Sequence, residues 1–578
     1  METAILTLEN IDLADGATFS PGDLTVLIGP NNGGKSRFLS DIASVITDTA
    51  KPISMKKVSF KPRQDWVEVV NEIMGMAEID QNSNFILDSL GIDLDSAVHS
   101  RLHSSTRDNW IRMDERHTPA REVEILRLLA NRIITHLKAE NRLRLANSTV
   151  NIQANLLGSQ SVVHAAHGAP KHVRDWLSIK IKEAFGYELE VDDSNFARLQ
   201  FCLNDGQPVP TDYEQRKAAL KRLKRVDDQG DGIRAFVGLL AAVKTTDRPI
   251  VLIDEPEAFL HPPQAFLLGR AIAEMTGQGH QIFVATHSAD ILRGILSQSA
   301  AIQVLRMARR SSVFTTRVLD AQMLRTIAND PVLSSSRIID GLFYESVVIV
   351  ESDGDVVLYR RIMNDLDASG GVYFINSYAK QNSQKLAAPF KAMEIPCAVI
   401  VDFDALRVRA ELSAMAQGMG VSKKALTEHH AAFICEVEGS DDALARLSKV
   451  QGDLTVMLAS IDTSATQAQA AQSLIDLRRT ASKLRENASI WSDLKKQGIS
   501  KLSSVALDRF KKIDAILRRK GIFVVPVGER EAWFEDVPYS KNKSGWTIDA
   551  LLYLGNNTLP PRAPLRIFIG SIWKYLSQ

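Results

Sequence analysis

The chain contains 578 residues, which is enough for three or four domains of ordinary size. Lysine plus arginine and aspartate plus glutamate each total 69, so overall charge favours neither a nucleic acid nor a membrane partner, and an anionic partner would need a local patch. The three cysteines fit neither a zinc pattern nor a disulfide framework, and no apolar run reaches the roughly 18 residues of a membrane span. We therefore expect a cytoplasmic protein with no membrane contact.

The first motif, GPNNGGKS at residues 29–36, lies between the apolar run LTVLI and the helix-like run SRFLSDIASVI. It matches G-x-x-x-x-G-K-[ST], in which glycines turn backbone N–H groups toward phosphates, the lysine reaches the β and γ phosphates, and the serine binds Mg²⁺. A glycine-rich turn with a chance lysine is the less favoured interpretation, because the strand, the turn and the helix are all in register. The sequence therefore predicts a site for ATP with Mg²⁺ formed by Gly29, Asn32, Gly33, Gly34, Lys35 and Ser36.

Two downstream segments supply the acids and the histidine that such a site needs. In PIVLIDEPEAFLHPPQ (249–264), a buried strand is followed by Asp254, placed to hold Mg²⁺, and Glu255, placed as a catalytic residue that orients water. In QIFVATHSADIL (281–292), another buried strand ends at His287, which can contact the γ phosphate.

These three segments resemble the ABC-type ATPases of the Rad50/SMC and overcoming-lysogenization-defect group. The resemblance implies an α/β ATPase head, divided between residues 1–50 and 226–325, that forms a head-to-head homodimer around two nucleotides and possibly a tetramer. It also implies a glutamine lid, to which we assign no residue, and a signature segment that caps the partner's nucleotide. The candidate signature is DQGDGIRAFVGLLAAV (228–243), with Gly230 and Gly232 as ATP-binding residues.

Residues 51–225 are expected to form a helical insertion in the ATPase, possibly used for dimerisation. Apolar residues spaced as in a helix predict an amphipathic helix over residues 121–145. The basic run EQRKAALKRLKRV (214–226) fits either a DNA backbone contact or a solvated helix face, and the second is more typical of such a run.

A second chemistry begins after a linker at residues 326–343. SVVIVESDGDVVLYRRIM (346–363) places Glu351 at a strand end with Asp355 one turn later, and PCAVIVDFDALR (396–407) places Asp402 and Asp404 after the next apolar strand. Alternation along an extended chain would put both aspartates of D-F-D on one side. Four neighbouring carboxylates predict bound Mg²⁺ or Mn²⁺, two of which could flank a phosphodiester. The alternative is that each acid is a solvated residue where a strand meets a loop.

This second pattern resembles the Toprim fold of the overcoming-lysogenization-defect nucleases and the Gabija nuclease subunit. The resemblance implies further metal ligands, Glu529 and Glu531 in GIFVVPVGEREAWF (521–534), and a catalytic lysine. Lys541 is preferred over Lys543 for that role. The Toprim domain would comprise residues 344–404 and 521–578. A helical insertion at 405–520 would either shape substrate access or serve packing and assembly.

The expected function is that of an ATP-regulated, metal-dependent DNA endonuclease in which Glu351, Asp402, Asp404 and Lys541 act at the phosphodiester. The resemblance alone implies a role in prokaryotic antiviral defence, with a possible accessory defence protein. Two alternatives remain open: an effector that cleaves tRNA, as in PARIS-like systems, and a DNA-repair or DNA-organising ATPase without nuclease activity.

Overall fold

In a computed structural model, the chain divides into two compact units, residues 1–331 and 332–578. The structure describes residues 4–74, 78–79, 84–94, 97–103, 106, 119–150, 159–195, 198–298, 301–310, 313–331, 337–366, 370–378, 380–439, 442–459, 467, 471–478, 481, 489–537 and 543–578. The division between the units falls inside the segment predicted as a linker.

The first unit is built on a six-stranded sheet in which apolar strands lie beside one another. The strands of the whole first unit, in chain order, are β1 (Leu6–Leu13), β2 (Thr18–Phe19), β3 (Leu24–Ile28), β4 (Met55–Pro62), β5 (Glu78–Ile79), β6 (Asn84–Leu90), β7 (Ala97–His103), β8 (Ile134–Leu137), β9 (Thr149–Val150), β10 (Glu188–Asn195), β11 (Arg198–Asn204), β12 (Lys224–Arg225), β13 (Ile250–Asp254), β14 (Gln281–Ala285), β15 (Ile302–Arg310) and β16 (Val313–Leu319). The large sheet has the order β16-β15-β3-β14-β13-β8, and all its pairs are parallel except β15 with β16. The carboxyl ends of β3, β13 and β14 therefore meet at one edge.

A smaller antiparallel sheet, in the order β2-β1-β4, packs on the large one. The side chain of Gln281 joins the two, because it accepts a hydrogen bond from the Leu8 N–H at 2.8 Å and donates one to the Leu8 carbonyl at 3.1 Å. The apolar core between these layers includes Leu6, Phe38 and Ile42, none of which is exposed. Two further antiparallel sheets have the orders β10-β11-β12, with β9 beside β11, and β5-β6-β7.

The helices of the first unit surround these sheets. They are α1 (Lys35–Thr47), α2 (Trp66–Met74), α3 (Pro119–Leu128), α4 (Ala130–Ile133), α5 (Val162–Gly168), α6 (Lys171–Phe185), α7 (Tyr213–Leu220), α8 (Asp231–Thr245), α9 (Pro262–Glu274), α10 (Ala289–Leu296) and α11 (Ala321–Asn329), with 3₁₀ turns at Ala139–Arg144 and Val226–Asp228.

Residues 51–225 contain strands as well as helices, and this corrects the expectation of a helical insertion. The predicted helix over 121–145 is wrong beyond Ile133, because residues 134–137 form β8 and pair with β13 in the main sheet. All four β8 residues are buried, and the β-branched Ile134 and Thr135 favour an extended chain at such a position. Part of this stretch therefore belongs to the central sheet of the first unit.

The second unit is built on a four-stranded parallel sheet in the order β18-β17-β19-β20. Its strands are β17 (Ser346–Val350), β18 (Val372–Asn376), β19 (Cys397–Val401) and β20 (Ile522–Val524). All four strands lie where their apolar runs predict them. Because the sheet is parallel, the segments after β17, β19 and β20 leave from the same edge.

Helices cover this sheet and fill the described part of residues 405–520. They are α12 (Ile338–Gly341), α13 (Asp353–Asn364), α14 (Lys380–Ala392), α15 (Arg409–Gly418), α16 (Lys423–Gly439), α17 (Ala443–Ala459), α18 (Ile490–Gln497), α19 (Ser504–Arg518), α20 (Lys543–Asn556) and α21 (Pro564–Leu576), with 3₁₀ turns at Phe403–Leu406, Gly498–Lys501 and Arg530–Trp533. No helix among the described residues combines the length and apolar character that a membrane crossing requires.

The buried His136 of β8 makes the first unit sensitive to acid. Burial, with a smaller contribution from the nearby Lys138, lowers its pKa from 6.5 to about 4, so the folded chain holds a neutral ring where the unfolded chain binds a proton. The free energy of unfolding should therefore fall as pH drops from 6.5 to 4, by at most about 3 kcal/mol from this group. We expect His136→Gln to flatten this part of the thermal stability profile, while His172→Gln, on an exposed residue, leaves it unchanged. Equal pH dependence in wild type and His136→Gln would contradict the assignment.

Candidate functional site

The turn between β3 and α1 has the conformation of a phosphate-binding loop. The Lys35 ammonium donates to the carbonyls of Gly29 at 2.9 Å and Pro30 at 3.0 Å, so it bends back over the loop. Burial lowers the pKa of Lys35, and the acids Glu257, Glu255 and Asp254 oppose that shift. Lys35 is also the first residue of α1, and the N–H groups and dipole at a helix N-terminus favour an anion.

Two glycines of the loop are required by its path. Gly29 has a φ of +135°, and a Cβ there would lie 1.9 Å from the Met307 carbonyl oxygen. Gly34 has a φ of +93°, and a Cβ there would lie 2.4 Å from the ring of Phe314. Larger residues would push the loop away from the β15–β16 hairpin.

The acidic turn at the end of β13, residues 254–257, faces this loop. The Ser36 hydroxyl donates to Asp254 Oδ1 at 2.9 Å, which brings together the two side chains expected to hold Mg²⁺. Burial raises the pKa of Asp254, and the Ser36 hydrogen bond opposes the shift. Glu255 has a left-handed φ of +48°, which is unusual for a residue with a side chain, and its N–H donates to the Ala285 carbonyl at 2.8 Å.

His287 lies beside the same acids, at the end of β14. Its Nδ1 is 3.6 Å from Glu255 Oε1, and its Nε2 is 3.5 Å from Glu257 Oε1. Glu257 accepts hydrogen bonds from the His287 N–H and the Thr286 hydroxyl, both at 2.8 Å, so it fixes this strand end against the acidic turn. Glu257 was not predicted as a site residue; its place two residues after Glu255 is the signal that could have identified it.

Arg142 is a second residue that the sequence analysis missed. It is fully buried, and its guanidinium donates to the backbone carbonyls of both Asp254 and Glu255. Burial lowers its pKa to about 10, which still leaves it protonated near neutral pH. A buried cation held under the acidic turn stabilises the unusual backbone of Glu255 and thereby aims its carboxylate.

These groups surround a cavity of about 730 Å³, lined by residues of the loop, the acidic turn and the hairpin: Asn31, Asn32, Gly33, Gly34, Lys35, Ser36, Arg37, Asp254, Glu255, Ala285, His287 and Arg309. Gly230 and Gly232, at the N-terminus of α8, do not line it. Their predicted role toward a nucleotide held by a second copy stays a prediction.

The second group of predicted residues lies at the edge of the second unit's sheet. Glu351 follows β17, and its Oε1 accepts a hydrogen bond from the Asp402 N–H at 3.1 Å, so the ends of β17 and β19 are joined. The Gly528 carbonyl accepts from the Phe403 N–H at 2.8 Å, which brings the segment after β20 to the same place. The structure thus brings Glu351 and Asp402 together at the edge that the parallel strands predict.

The Asp355 carboxylate makes hydrogen bonds at the start of α13 and with Arg530, and its role as a metal ligand stays a prediction. The carboxylate caps the start of α13, accepting from the Ser352 N–H at 2.9 Å and the Ser352 hydroxyl at 2.7 Å. Arg530 Nη1 donates to it at 3.3 Å. Burial raises the pKa of Asp355, and the Arg530 charge opposes that shift. These contacts link the start of α13 to Arg530.

The GERE segment, residues 528–531, follows β20 and contains two buried acids and a buried arginine. Arg530 Nη2 donates to Glu531 Oε1 at 3.0 Å, and a Cβ at Gly354 would lie 1.9 Å from Arg530 Nη1, so that glycine is needed for the arginine to fit. Lys543 Nζ donates to Glu529 Oε2 at 2.9 Å and lies 3.9 Å from Glu531 Oε2. Burial lowers the pKa of Lys543, but Glu529, Glu531 and Asp402 together raise it above its usual value. Lys541, the lysine preferred from the sequence, lies outside the described residues.

Asp404 departs from the extended geometry expected for D-F-D. Residues 403–406 form a 3₁₀ turn in which the Ala405 N–H donates to the Asp402 carbonyl at 3.0 Å, so the two aspartates do not alternate along a strand. Lys495 of α18 donates to Asp404 Oδ2 at 3.1 Å. Lys495 was not predicted as a site residue, because no motif lies near it in sequence.

A preformed metal site was expected, but the described residues contain no group of three or more His, Cys, Asp or Glu side chains placed to hold a metal ion. The physical reason is visible in the contacts, since Lys543, Lys495 and Arg530 each pair with one or two of the predicted ligands. The donor chemistry, carboxylate oxygens alone, still fits Mg²⁺ or Mn²⁺.

Comparison with known proteins finds similarity in part of each unit. A family described as "AAA domain, putative AbiEii toxin, Type IV TA system" matches residues 173–293, and one described as "Overcoming lysogenization defect protein-like, TOPRIM domain" matches residues 342–404. The "OLD nuclease" of Thermus scotoductus is 23% identical over 456 residues, which cover 69% of this chain and 80% of that protein. The resemblance to the overcoming-lysogenization-defect family is confirmed.

Other similar proteins cover smaller parts of this overcoming-lysogenization-defect-like chain. The "Old nuclease" of Escherichia phage P2 is 23% identical over 188 residues, covering 30% of this chain and 31% of that protein. Among solved structures, an SMC head bound to the C-winged helix domain of ScpA has a TM-score of 0.32 at 16% identity, covering 55% of this chain and 99% of that chain. The SMC head domain from Thermotoga maritima has a TM-score of 0.28 at 13% identity, covering 55% and 100%.

The fold class is that of an ABC-type P-loop ATPase head followed by a Toprim unit, as predicted. We refer to residues 1–331 as the ATPase unit and to residues 332–578 as the Toprim unit.

Replacing Arg142 should separate nucleotide hydrolysis from nucleotide binding. We expect Arg142→Met to reduce ATP turnover roughly 10-fold or more, because Glu255 loses the contact that aims it. The affinity for ATP should change less than about 3-fold, since the loop residues are untouched. Arg142→Lys keeps the charge but cannot donate to both carbonyls as the guanidinium does. Its ATP turnover should therefore lie between those of wild type and Arg142→Met. Arg144→Met, on an exposed neighbour, is the matched control. Loss of binding and turnover in parallel would mean that Arg142 only supports the fold.

Proposed function

We propose that this chain is an ATP-regulated endonuclease that cleaves DNA phosphodiester bonds with divalent metal ions, in prokaryotic antiviral defence. The observation that carries the cleavage proposal is the meeting of Glu351, Asp402 and the GERE segment at one edge of the Toprim sheet. The curated relatives are named as nucleases, and the order of ATPase and Toprim units is consistent with the same activity.

The metal ligands in this proposal are the acids predicted from the sequence: Glu351, Asp355, Asp402, Asp404, Glu529 and Glu531. Asp355 pairs with Arg530, just as Asp404 pairs with Lys495 and Glu529 with Lys543. Mg²⁺ or Mn²⁺, when bound, would activate water and neutralise charge on the phosphate. The described carboxylates already attract a cation, because Glu529 and Glu531 hold the Lys543 ammonium between them.

The residues of the chain orient the substrate around these acids. Lys543 is half exposed, so its ammonium can bind a phosphate oxygen while it stays near Glu529. Such a contact stabilises charge that develops on the phosphate during cleavage. Arg530 is buried and holds Glu531 and Asp355 in place, which makes it a positioning residue.

ATP would act through a homodimer of the ATPase units. Lys35 and the loop amides would bind the phosphates, Ser36 and Asp254 would hold Mg²⁺, and Glu255 would orient water for hydrolysis. Gly230, which caps the open N-terminus of α8 without any atom within 4 Å of a Cβ built there, has room to approach a partner's nucleotide. Nucleotide hydrolysis would then change the dimer contact, and through it the nuclease.

Replacing Asp402 tests cleavage directly. We expect purified wild-type protein with Mg²⁺ or Mn²⁺ to nick or linearise plasmid DNA, and Asp402→Asn to reduce that rate roughly 100-fold or more, because a neutral amide cannot replace a charged ligand. ATP turnover should be unchanged. Asp508→Asn, on an exposed acid of α19, is the control and should cut normally.

The same assay with tRNA separates the alternatives. Cutting of tRNA and not plasmid would contradict the DNA substrate and favour a tRNA-cleaving effector. Intact ATP turnover with neither substrate cut, under each metal with and without ATP, would contradict the nuclease proposal and favour a repair or organising ATPase.

Replacing Lys543 tests which lysine serves the Toprim site. We expect Lys543→Met to lower the cleavage rate about 100-fold with little change in DNA affinity, because its charge matters most when charge builds on the phosphate. Lys520→Met, on an exposed lysine at the end of α19, should have no effect. A large loss of cleavage rate in Lys541→Met, with a normal rate in Lys543→Met, would instead show that Lys541, the lysine preferred from the sequence, serves the site.

A further inference from the structure

The helical insertion reaches the Toprim carboxylates through the short helix α18. Its Lys495 donates to Asp404 Oδ2 at 3.1 Å, and the two side chains are 37% and 20% exposed. Among the described residues, this is the point at which a basic side chain of the insertion pairs with a predicted metal ligand. The contact joins residues 91 positions apart.

The backbone around Lys495 is fixed against the turn that precedes Glu529. The Ile499 N–H donates to the Pro526 carbonyl at 2.8 Å. A Cβ at Gly528 would lie 2.2 Å from the Lys495 carbonyl oxygen, and one at Gly498 would lie 2.0 Å from the Pro526 carbonyl oxygen. Both glycines also have positive φ angles, +109° and +54°. Two chain segments that approach this closely hold Lys495 at a defined place beside the acids.

An aromatic cluster holds α18 from the other side. Phe403, the middle residue of D-F-D, lies 5.1 Å from Phe510 between ring centres, and Phe433 lies 6.3 Å from Trp491 and 6.5 Å from Phe403. Phe403 is fully buried and Trp491 is nearly so. The insertion and the D-F-D segment therefore share one aromatic core, against which α18 packs through Trp491.

The Lys495 ammonium has donors to spare. An ammonium can donate three hydrogen bonds, and one of these goes to Asp404. More than a third of the side chain remains exposed, on the side where solvent reaches the pair. The next residue, Lys496, is exposed on the same helix.

We propose that Lys495 is a phosphate-binding residue of the nuclease site, contributed by the helical insertion, which contacts the nucleic acid backbone beside Asp404. This inference rests on the proposed function. A polyanion that approaches a carboxylate-lined edge is repelled unless fixed cations meet it there. Lys543 supplies one cation beside Glu529, and Lys495 supplies a second beside Asp404, so a strand lying across the edge would meet a positive charge at two places.

The test measures DNA binding as well as cutting. Duplex DNA affinity is determined by fluorescence anisotropy over a range of salt concentrations, with Ca²⁺ replacing Mg²⁺ so that cutting is slowed. We expect Lys495→Met to make the slope of log affinity against log salt less steep by about 0.9, the change for one phosphate contact. The matched Lys496→Met should keep the wild-type slope. With Mg²⁺, Lys495→Met should cut plasmid at least about 10-fold more slowly, and Lys495→Arg should recover much of that loss.

The outcomes separate this inference from the proposed function. If wild type binds DNA but cuts no nucleic acid, the nuclease proposal is wrong. The salt dependence of DNA affinity in Lys495→Met would still show whether Lys495 contacts a phosphate. An unchanged slope in Lys495→Met would show a purely structural ion pair with Asp404 and overturn the inference, as would wild type that binds no DNA. If Lys495→Met unfolds at lower temperature than wild type, Lys495→Gln, which stays polar, is measured in the same way.

Discussion

Carboxylates collected at the carboxyl ends of parallel strands repel one another, and each unit of this protein places cations among them. In the ATPase unit, Lys35 faces the acidic turn from the phosphate loop, and Arg142 lies buried beneath it. In the Toprim unit, Arg530 and Lys543 pair with the acids of the sheet edge. Removing any one of these cations would leave a charge uncompensated, and for the buried arginines this is costly. The sites therefore depend on cations as much as on the acids that the motifs display.

In the ATPase unit, Arg142 comes from a segment distant in sequence from the acids with which it pairs. Arg142 lies on a 3₁₀ turn that directly follows β8, and Leu145 and Ala146 pack against Gly238 of α8, so the same short stretch contacts the acidic turn and the helix of the candidate signature. The 3₁₀ turn and the two residues after it therefore connect the packing of α8 with the backbone of the acidic turn inside the ATPase unit.

Much of both sites could be predicted because the decisive residues are contiguous. The phosphate loop is specified by glycines whose positions no larger residue could take, and the acids that follow β13, β17 and β19 lie at the ends of short apolar runs. The residues that were missed act over long range. Apolar spacing carries the helix pattern on through Leu137, yet β8 replaces the helix because its four residues are buried beside β13. Nothing near Arg142 or Lys495 in sequence shows that each reaches an acidic motif about a hundred positions away.

The 3₁₀ turn at Phe403–Leu406 changes where the acids of the Toprim unit point, compared with acids on an extended chain at a strand end. An extended D-F-D would direct both carboxylates to one side. In the turn, Asp404 instead accepts a hydrogen bond from Lys495, and Phe403 is buried in the aromatic core of the insertion. Since α18 and the turn before Glu529 are packed through Gly498 and Gly528, the insertion is part of the structure that positions both sets of acids. Within the described part of residues 405–520, α18 packs in the core of the Toprim unit and also holds Lys495 beside Asp404. The same contacts that complete the core also fix the charges at the sheet edge.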